Sequence, residues 1–447
     1  MSLLAGSNTV KGTINDGMDV EVALKLGKAV GKIYGGPLAV AMDGRTSNMM
    51  LKTALVAGMM SVGANVLDLG AVPTPMIQYY MAVHPEVMGG VSITASFAGQ
   101  QINGFRIMRS GGIDDPIFDE RTIEDVMADN SQVPAMQIGE ISKVADFTES
   151  YIDSIMKDID VEAIRNAGFS ICLDCRNSTV ANTVADLLMA LSVECIFITG
   201  DSSMLDEDRQ MKLGHVVKSQ GLDLGVAIDM DADHVLFATA DGVPVHGDKS
   251  FAVMAVDILS KGPGKVVVPV NASTLMESVV RDNGGELVLC TVGEQTVIRK
   301  VKEYSAVLGG DIFGCLVLPG HACLCDAILA MVKMFEIIAK KGPLGDQISK
   351  YPDYYISKDS LEVPEDRIPF LLESYKALHE GEEMELLDGV KIYSPEGWTL
   401  VRKSNVRDLV KVYAQSGSRD KSASWLSETL DELKRILSSS DSSPEQQ

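Results

Sequence analysis

Asp229, Asp231 and Asp233 alternate directly after the apolar run 224–228, which gathers three carboxylates on one side of a turn at a strand end. Without a counter-charge they would repel one another; around a hard divalent cation they would serve as its oxygen ligands. An EF-hand would need Gly at the sixth loop position and Glu at the twelfth, where this chain has His234 and Ala240. A haloacid-dehalogenase-type phosphatase would want Thr or Val where Asp233 stands. A Mg²⁺ site is therefore the expectation, with an exposed acidic turn as the alternative. Ser96, in the string Thr94-Ala95-Ser96-Phe97-Ala98-Gly99, follows the apolar run 90–94 and is presented at a strand end; alone it reads equally as turn chemistry, because no G-x-S-x-G elbow surrounds it. The string Arg402-Lys403-Ser404-Asn405-Val406-Arg407, with Lys411 beyond it, packs cations into a short turn, either a phosphate cradle or a solvated basic turn.

The rest of the chain limits what these groups could serve. With 447 residues, two to four domains are expected. The charge balance of 39 Lys+Arg against 62 Asp+Glu gives −23, which repels a nucleic-acid backbone from most of the surface. An anionic small ligand would need a local reversal of that field. The seven cysteines lie in apolar runs and read as buried thiols of a reducing compartment; Cys172 and Cys175 fall on one strand, facing opposite sides. His321 beside Cys323 and Cys325 reads as packing, and Met49, Met50, Met59 and Met60 as core filler. Residues 1–11 have no apolar stretch of signal-peptide length and no run reaches a membrane span, so a cytoplasmic protein without membrane partners is expected. No Gly-rich dinucleotide or P-loop string is present.

The positioning elements come in a repeating order. Helix 19–32, strand 38–42, helix 46–62, strand 65–70, a helix from Pro73 to about His84 and strand 90–94 form one α/β unit, which leads into Ser96. Strand 169–174, helix 179–191, strand 194–198, helix 205–220 and strand 224–228 form a second, which ends at Asp229. Strand 265–270, helix 273–283, strand 286–290, helix 294–304 and strand 306–309 form a third, which ends at Asp311. This predicts an α/β chain of three similar domains with parallel-rich mixed sheets, whose strand-end loops meet in one cleft. Strands 390–393, 399–401 and 409–413 and helix 422–437 predict a smaller C-terminal α+β domain, followed by a disordered tail 438–447. The expected boundaries are 1–145, 146–250, 251–350 and 351–447.

In this order the motifs resemble the α-D-phosphohexomutase family of phosphomannomutases, phosphoglucomutases and phosphoglucosamine mutases. Residues 5–12 (AGSNTVKG) are similar to the family's F-G-T-D-G-V-R-G, Asp43-Gly44-Arg45-Thr46-Ser47 to its G-R-D-x-R-x-S segment, and Val72-Pro73-Thr74-Pro75 to its V-P-T-P. The Ser96 string is similar to T-A-S-H-N-P, Asn103-Gly104-Phe105-Arg106 to N-G-F-K, and residues 229–234 to D-G-D-A-D-R. Residues 309–315 take the place of G-G-E-x-S-G-H and Arg402 to Val406 that of R-P-S-G-T.

The resemblance implies four domains around a central cleft and a sugar-phosphate substrate, acting as a monomer or homodimer. Ser96, carried as phosphoserine, would give its phosphoryl group to a sugar hydroxyl, and the resulting bisphosphate would turn over and return its other phosphoryl group. Phosphate would thereby move between C1 and C6, with Mg²⁺ held by Ser96, Asp229, Asp231 and Asp233. Ser96, Arg106 and Lys11 are then the catalytic candidates, and Asp311, His234, Arg402, Ser404, Asn405 and Lys411 the substrate- and phosphate-binding ones. This chain also departs from the pattern. Phe97 stands for His, and Arg106 for a lysine with an acid/base role; an arginine neutralises charge but scarcely takes a proton. Lys11 and His234 each stand for an arginine, and Asp311, Phe313 and Cys315 for Glu, Ser and His. The alternatives are a paralogue that binds a phosphorylated ligand without turnover, and a phosphatase in which water takes the phosphate.

Overall fold

Runs that are apolar throughout become strands covered on both faces: all of Leu224–Ile228 and Gly89–Ile93 is buried, as is Leu38 to Ala41 within Pro37–Met42. The computed structural model describes residues 4–6, 9–95, 98–114, 133–145, 147–175, 178–198, 200, 207–322, 324–404 and 408–441. The described strands form four sheets, three of them mixed and the last antiparallel throughout.

The three mixed sheets share one strand order. The parallel strands are Gly89–Ile93, Pro37–Met42 and Asn65–Ala71 in the first; Glu194–Ile198, Ser170–Cys175 and Leu224–Ile228 in the second; and Glu286–Cys290, Lys265–Pro269 and Leu308–Gly310 in the third. Each time the first strand in sequence is central, and the third turns back into an antiparallel neighbour: Ile102–Arg109, Val235–Thr239 and Leu316–Val317. The Ser96, Asp229 and Asp311 segments are thus the same loop of the repeat, at the carboxyl end of its third parallel strand, where α/β sheets bind ligands.

Helices Val20–Tyr34 and Asn48–Ser61 pack almost backbone to backbone under the first sheet. Glycine makes this possible, since a Cβ on Gly27 would stand 2.0 Å from the Leu55 carbonyl oxygen and one on Gly58 2.2 Å from that of Leu24. One apolar core runs on through the first three units, from Ala39 and Met76 to Leu173, Phe251 and Met331. His321 packs there as expected, its ring stacked 4.8 Å from Tyr79. The fourth sheet, covered by helices Ile368–Leu378 and Arg419–Asp441, has its own core around Leu371, Tyr375, Val401 and Leu433. It meets the third unit where Trp398 packs on Val270 and Lys391 Nζ donates to the Val270 carbonyl at 2.7 Å.

Three expectations need correction. The last helix continues to Asp441, so the tail beginning at 438 is helical for its first four residues; its amphipathic stripe ends near Leu437, but backbone hydrogen bonding propagates past it. Cys315 and Cys325 form a disulfide, whereas Cys172, Cys175 and Cys290 are buried thiols; spacing alone does not reveal a pair that the isolated antiparallel bridge of Val317 with Cys325 brings together. Met49 is 58% exposed, on the outer face of a helix whose Met59 is in the core. Among the described residues no helix is long and apolar enough to cross a membrane.

Candidate active site

The acidic loop folds around its own first carboxylate. Asp229 Oδ1 accepts from the backbone N–H groups of Asp233 and His234, both at 3.2 Å. Two other units hold the turn. The N–H of Thr74, opening helix Thr74–Val83 behind Pro73, donates to the Asp231 carbonyl at 3.1 Å, and that of Ala327, opening helix Ala327–Lys341, to the Ala232 carbonyl at 3.0 Å. These are helix N-terminal donors with no partner within their own helices. They anchor a turn whose Ala232 has φ +61°, a strained conformation for a residue with a Cβ. The V-P-T-P string thus has a physical role, presenting a helix start to the acidic loop.

The loop faces a cavity of about 410 Å³ lined by all four units: Lys11 and Arg106 from the first, Asp231, Asp233 and His234 from the second, Glu294 from the third and Arg402 from the fourth. Lys11 and Arg106 sit on paired antiparallel strands, with Lys11 opposite Gly104 and Thr9 opposite Arg106. The buried Arg106 guanidinium donates from Nε to both Asp114 oxygens at 3.0 Å, from Nη1 to Asp233 Oδ2 at 2.7 Å and from Nη2 to Glu294 Oε1 at 2.5 Å. Burial opposes its charge, but Asp114, Glu294 and Asp233 outweigh it and hold Arg106 firmly protonated. Beneath them Asp43, Arg45, Asn48 and Asn103 form a buried network in which Asn103 Nδ2 donates to Asn48 Oδ1 at 2.6 Å and Arg45 Nη2 to the Ala98 carbonyl at 2.8 Å. It ties the D-G-R-T-S and N-G-F-R strings to the serine loop.

Burial and mutual repulsion split the carboxylates. Asp229 is pushed well up by burial and by Asp233 and Asp231; Asp231 rises to about 6 from burial and Asp233. Asp233 goes the other way, because His234 and Arg106 outweigh its burial. The Lys11 ammonium is lowered by burial, against the pull of Asp231. Burial carries Glu294 up to about 8 in spite of Arg106.

Not every expected residue lies on this cavity. Lys11, Arg106, Asp231, Asp233, His234 and Arg402 line it; Asp229, Asp311, Ser404 and Lys411 do not. Asp229 organises the loop from behind. Asp311, expected to read the sugar, turns its Oδ1 to the N–H groups of Phe313 and Cys315, at 2.8 and 3.0 Å, and burial raises it. Both of these hydrogen bonds stay within its own loop. Arg402 Nε donates to Asp388 at 2.8 Å, Ser404 is buried with its N–H on the Leu409 carbonyl, and Lys411 pairs across the sheet with Arg402. Ser96, Phe97 and Asn405 lie outside the described residues. The Ala98 N–H donates to the Ala95 carbonyl at 3.1 Å.

Sequence reasoning missed Glu294, Gln295, Asp114 and Asp388. Glu294 and Gln295 open helix Glu294–Tyr304 behind Gly293, in the string Thr-Val-Gly-Glu-Gln-Thr at a strand end, and that polar strand-to-helix turn was the available signal. Asp114 and Asp388 gave none.

The residues present fit a divalent cation. Asp229, Asp233 and His234 offer donor atoms that all lie within 4.8 Å of one another. Asp231, only 1% exposed, keeps Oδ1 without a hydrogen-bond partner among the described residues. A buried carboxylate oxygen left unpaired is costly unless something charged is meant to meet it.

Comparison with known proteins matches this architecture. Models of the phosphoglucomutase/phosphomannomutase alpha/beta/alpha domains I, II and III match residues 2–134, 149–242 and 246–355. A phosphoglucomutase/phosphomannomutase of Thermococcus kodakarensis is 30% identical over 95% of this chain and 97% of its own, and a probable phosphoglucosamine mutase of Methanopyrus kandleri 29% identical over 97% and 98%. The crystal structure of a phosphoglucomutase/phosphomannomutase family protein from Burkholderia thailandensis superposes with a TM-score of 0.85 at 22% identity, over 98% of this chain and 97% of that one. The chain therefore belongs to the phosphoglucomutase/phosphomannomutase family of α-D-phosphohexomutases, enzymes of the isomerase class.

Proposed function

We propose that this chain is a Mg²⁺-dependent phosphohexomutase that moves a phosphoryl group between C1 and C6 of a hexose phosphate through phosphoserine at Ser96 and a sugar bisphosphate. The observation that carries this is the single cavity onto which Lys11, Arg106, Asp231, Asp233, Glu294 and Arg402 converge from four units. Its size suits a small phosphorylated ligand; Lys11, Arg106 and Arg402 share it with Asp114, Asp231, Asp233, Glu294 and Asp388, so a bound dication would be needed to make the local field favour phosphate. The four units are read as 1–145 for the phosphoserine loop, 146–250 for the metal loop, 251–350 for sugar recognition and 351–447 for phosphate binding.

A dication held by Asp229, Asp231 and Asp233 would supply charge neutralisation at the transferring phosphoryl group. The chain's own residues do the rest. The bond between Ser96 Oγ and phosphorus breaks while a sugar hydroxyl oxygen bonds to that phosphorus, and the hydroxyl proton passes by way of Lys11 to the leaving Ser96 Oγ. After the bisphosphate turns over, Ser96 Oγ takes back the other phosphoryl group, and its proton passes by way of Lys11 to the sugar oxygen. Lys11 has this role because Arg106 cannot release its proton. The two have exchanged places relative to the family pattern: Lys for Arg at 11, Arg for Lys at 106. The neighbouring strands put both on the same cavity. Arg106 and Arg402 are read as orienting phosphate, with Ser404, Asn405 and Lys411 as further phosphate-binding candidates, while Asp311 shapes the sugar loop.

The test is incubation of the purified protein with glucose 1-phosphate, mannose 1-phosphate or glucosamine 1-phosphate and a sugar bisphosphate activator. The reading expects one of them to be isomerised, phosphate mapped to Ser96 by mass spectrometry, and both results abolished in Ser96→Ala. Ligand-dependent stabilisation with no turnover of any of the three would overturn it in favour of a non-catalytic binder.

A further inference from the structure

We propose that Asp388 is a positioning residue for the sugar phosphate, holding the Arg402 guanidinium in one orientation and tying it to the third unit. Its role depends on Arg402 binding phosphate, as proposed above. One carboxylate oxygen makes both connections: Asp388 Oδ2 accepts from Arg402 Nε at 2.8 Å, within the fourth unit, and from the Val292 N–H at 2.8 Å, in the third. Arg402 is buried and lines the cavity, and among the described residues its guanidinium hydrogen-bonds through Nε. With Nε engaged, Nη1 and Nη2 are left for a phosphate, as the fork by which a guanidinium binds two phosphate oxygens at once. A guanidinium already held in place loses less side-chain freedom when the ligand arrives.

Asp388 is itself fixed by the backbone around it. Gly389, the next residue, has φ +87°, and a Cβ there would stand 2.2 Å from the Val401 carbonyl oxygen and 2.7 Å from Arg402 Cα. The turn that bears Asp388 therefore lies directly against the strand that bears Arg402, with Val390 paired opposite Val401. Across the seam, Val292 belongs to the turn that opens helix Glu294–Tyr304, and Glu294 accepts from Arg106 Nη2. Arg402 of the fourth unit and Arg106 of the first are thus connected through Asp388, the Val292 turn and Glu294. The spacing of two cations that face one phosphorylated ligand runs through this carboxylate.

The experiment measures glucose 1,6-bisphosphate binding by calorimetry and amide exchange at Val292 in the wild-type chain, Asp388→Ala, Asp388→Asn and Arg402→Met. Asp388→Asn keeps an oxygen with two lone pairs for both donors and loses only the charge, whereas Asp388→Ala loses both hydrogen bonds. In Asp388→Ala the Kd should rise at least about tenfold and the Val292 amide should exchange at least about tenfold faster, while Asp388→Asn stays within about threefold of wild type in both. Asp388→Ala that binds like wild type while Arg402→Met binds poorly overturns the positioning role and leaves the phosphate role of Arg402 intact. Asp388→Asn as weak as Asp388→Ala overturns it too, since the charge and not the hydrogen bonds would then matter. Arg402→Met that binds like wild type, or a wild type that does not bind, overturns both. A Val292 amide that exchanges in the folded wild type as fast as a free loop amide removes the bond itself, which decides the matter even where Asp388→Ala folds poorly.

Discussion

Arg106 Nη1 lies 2.7 Å from Asp233 Oδ2, across 127 residues of sequence, and the same guanidinium binds Asp114 and Glu294. One buried side chain thereby bonds carboxylates from three units at once. In a chain with a charge of −23, this is where the acidic loop finds its compensation.

Arg106→Met should therefore destabilise the metal-free protein by about 3–5 kcal/mol, because Asp114 and Asp233 are left buried without their partner. A saturating divalent cation should restore part of the loss, since it binds the folded acidic loop and not the unfolded chain. Urea unfolding of wild type and variant, each with chelator and with metal, checks both statements. A variant as stable as the wild type in chelator would show that the pairing contributes nothing.

Lys11→Arg keeps the charge and removes the exchangeable proton. Mutase turnover should fall by about 10²- to 10⁴-fold with little change in KM. Lys11→Met should raise KM as well, because it removes a cation from the phosphate's surroundings. Steady-state kinetics on whichever sugar phosphate is isomerised separates the two variants, and a Lys11→Arg enzyme with wild-type kcat would move the acid/base role elsewhere.

The Cys315–Cys325 disulfide closes a short loop that includes the turn after the sugar segment. Replacing Cys325 with Ser should cost about 2–3 kcal/mol in thermal or urea unfolding, from the entropy the cross-link removes from the unfolded chain. It should also loosen residues 311–315, read as faster amide exchange at Phe313 and Cys315, whose N–H groups bind Asp311. Peptide mapping without reduction verifies the bond in the wild type.

Lys391 gives a pH dependence at the contact between the third and fourth units. Burial pushes its ammonium down to about 8, below the ordinary 10.5. Between those values the unfolded chain holds the proton more tightly than the folded one, so stability rises with pH across that window and is lost as pH falls through about 8. The melting temperature of the wild type relative to Lys391→Met should increase from pH 7.5 towards pH 10. Parallel profiles for the two proteins would contradict this.

Much of this molecule was readable from its residues. Short apolar runs such as Leu224–Ile228, too brief for a helix and separated by stretches of helical spacing, read as buried strands joined by crossovers, so the three units follow from local pattern and period. Asp229, Asp231, Asp233, His234 and Arg402 announce themselves as clusters of charge at strand ends, because such clusters are expensive without a function. Folding decided what the residues could not. Asp311 turns inward to its own loop, Cys315 finds Cys325, and Glu294 and Asp114 reach Arg106 from segments with no motif of their own. Hydrogen bonds from Thr74 and Ala327 to the acidic turn join separate units. Pattern along a chain encodes which face of each element is buried; which side chains then meet depends on how the buried faces pack across 100 residues or more.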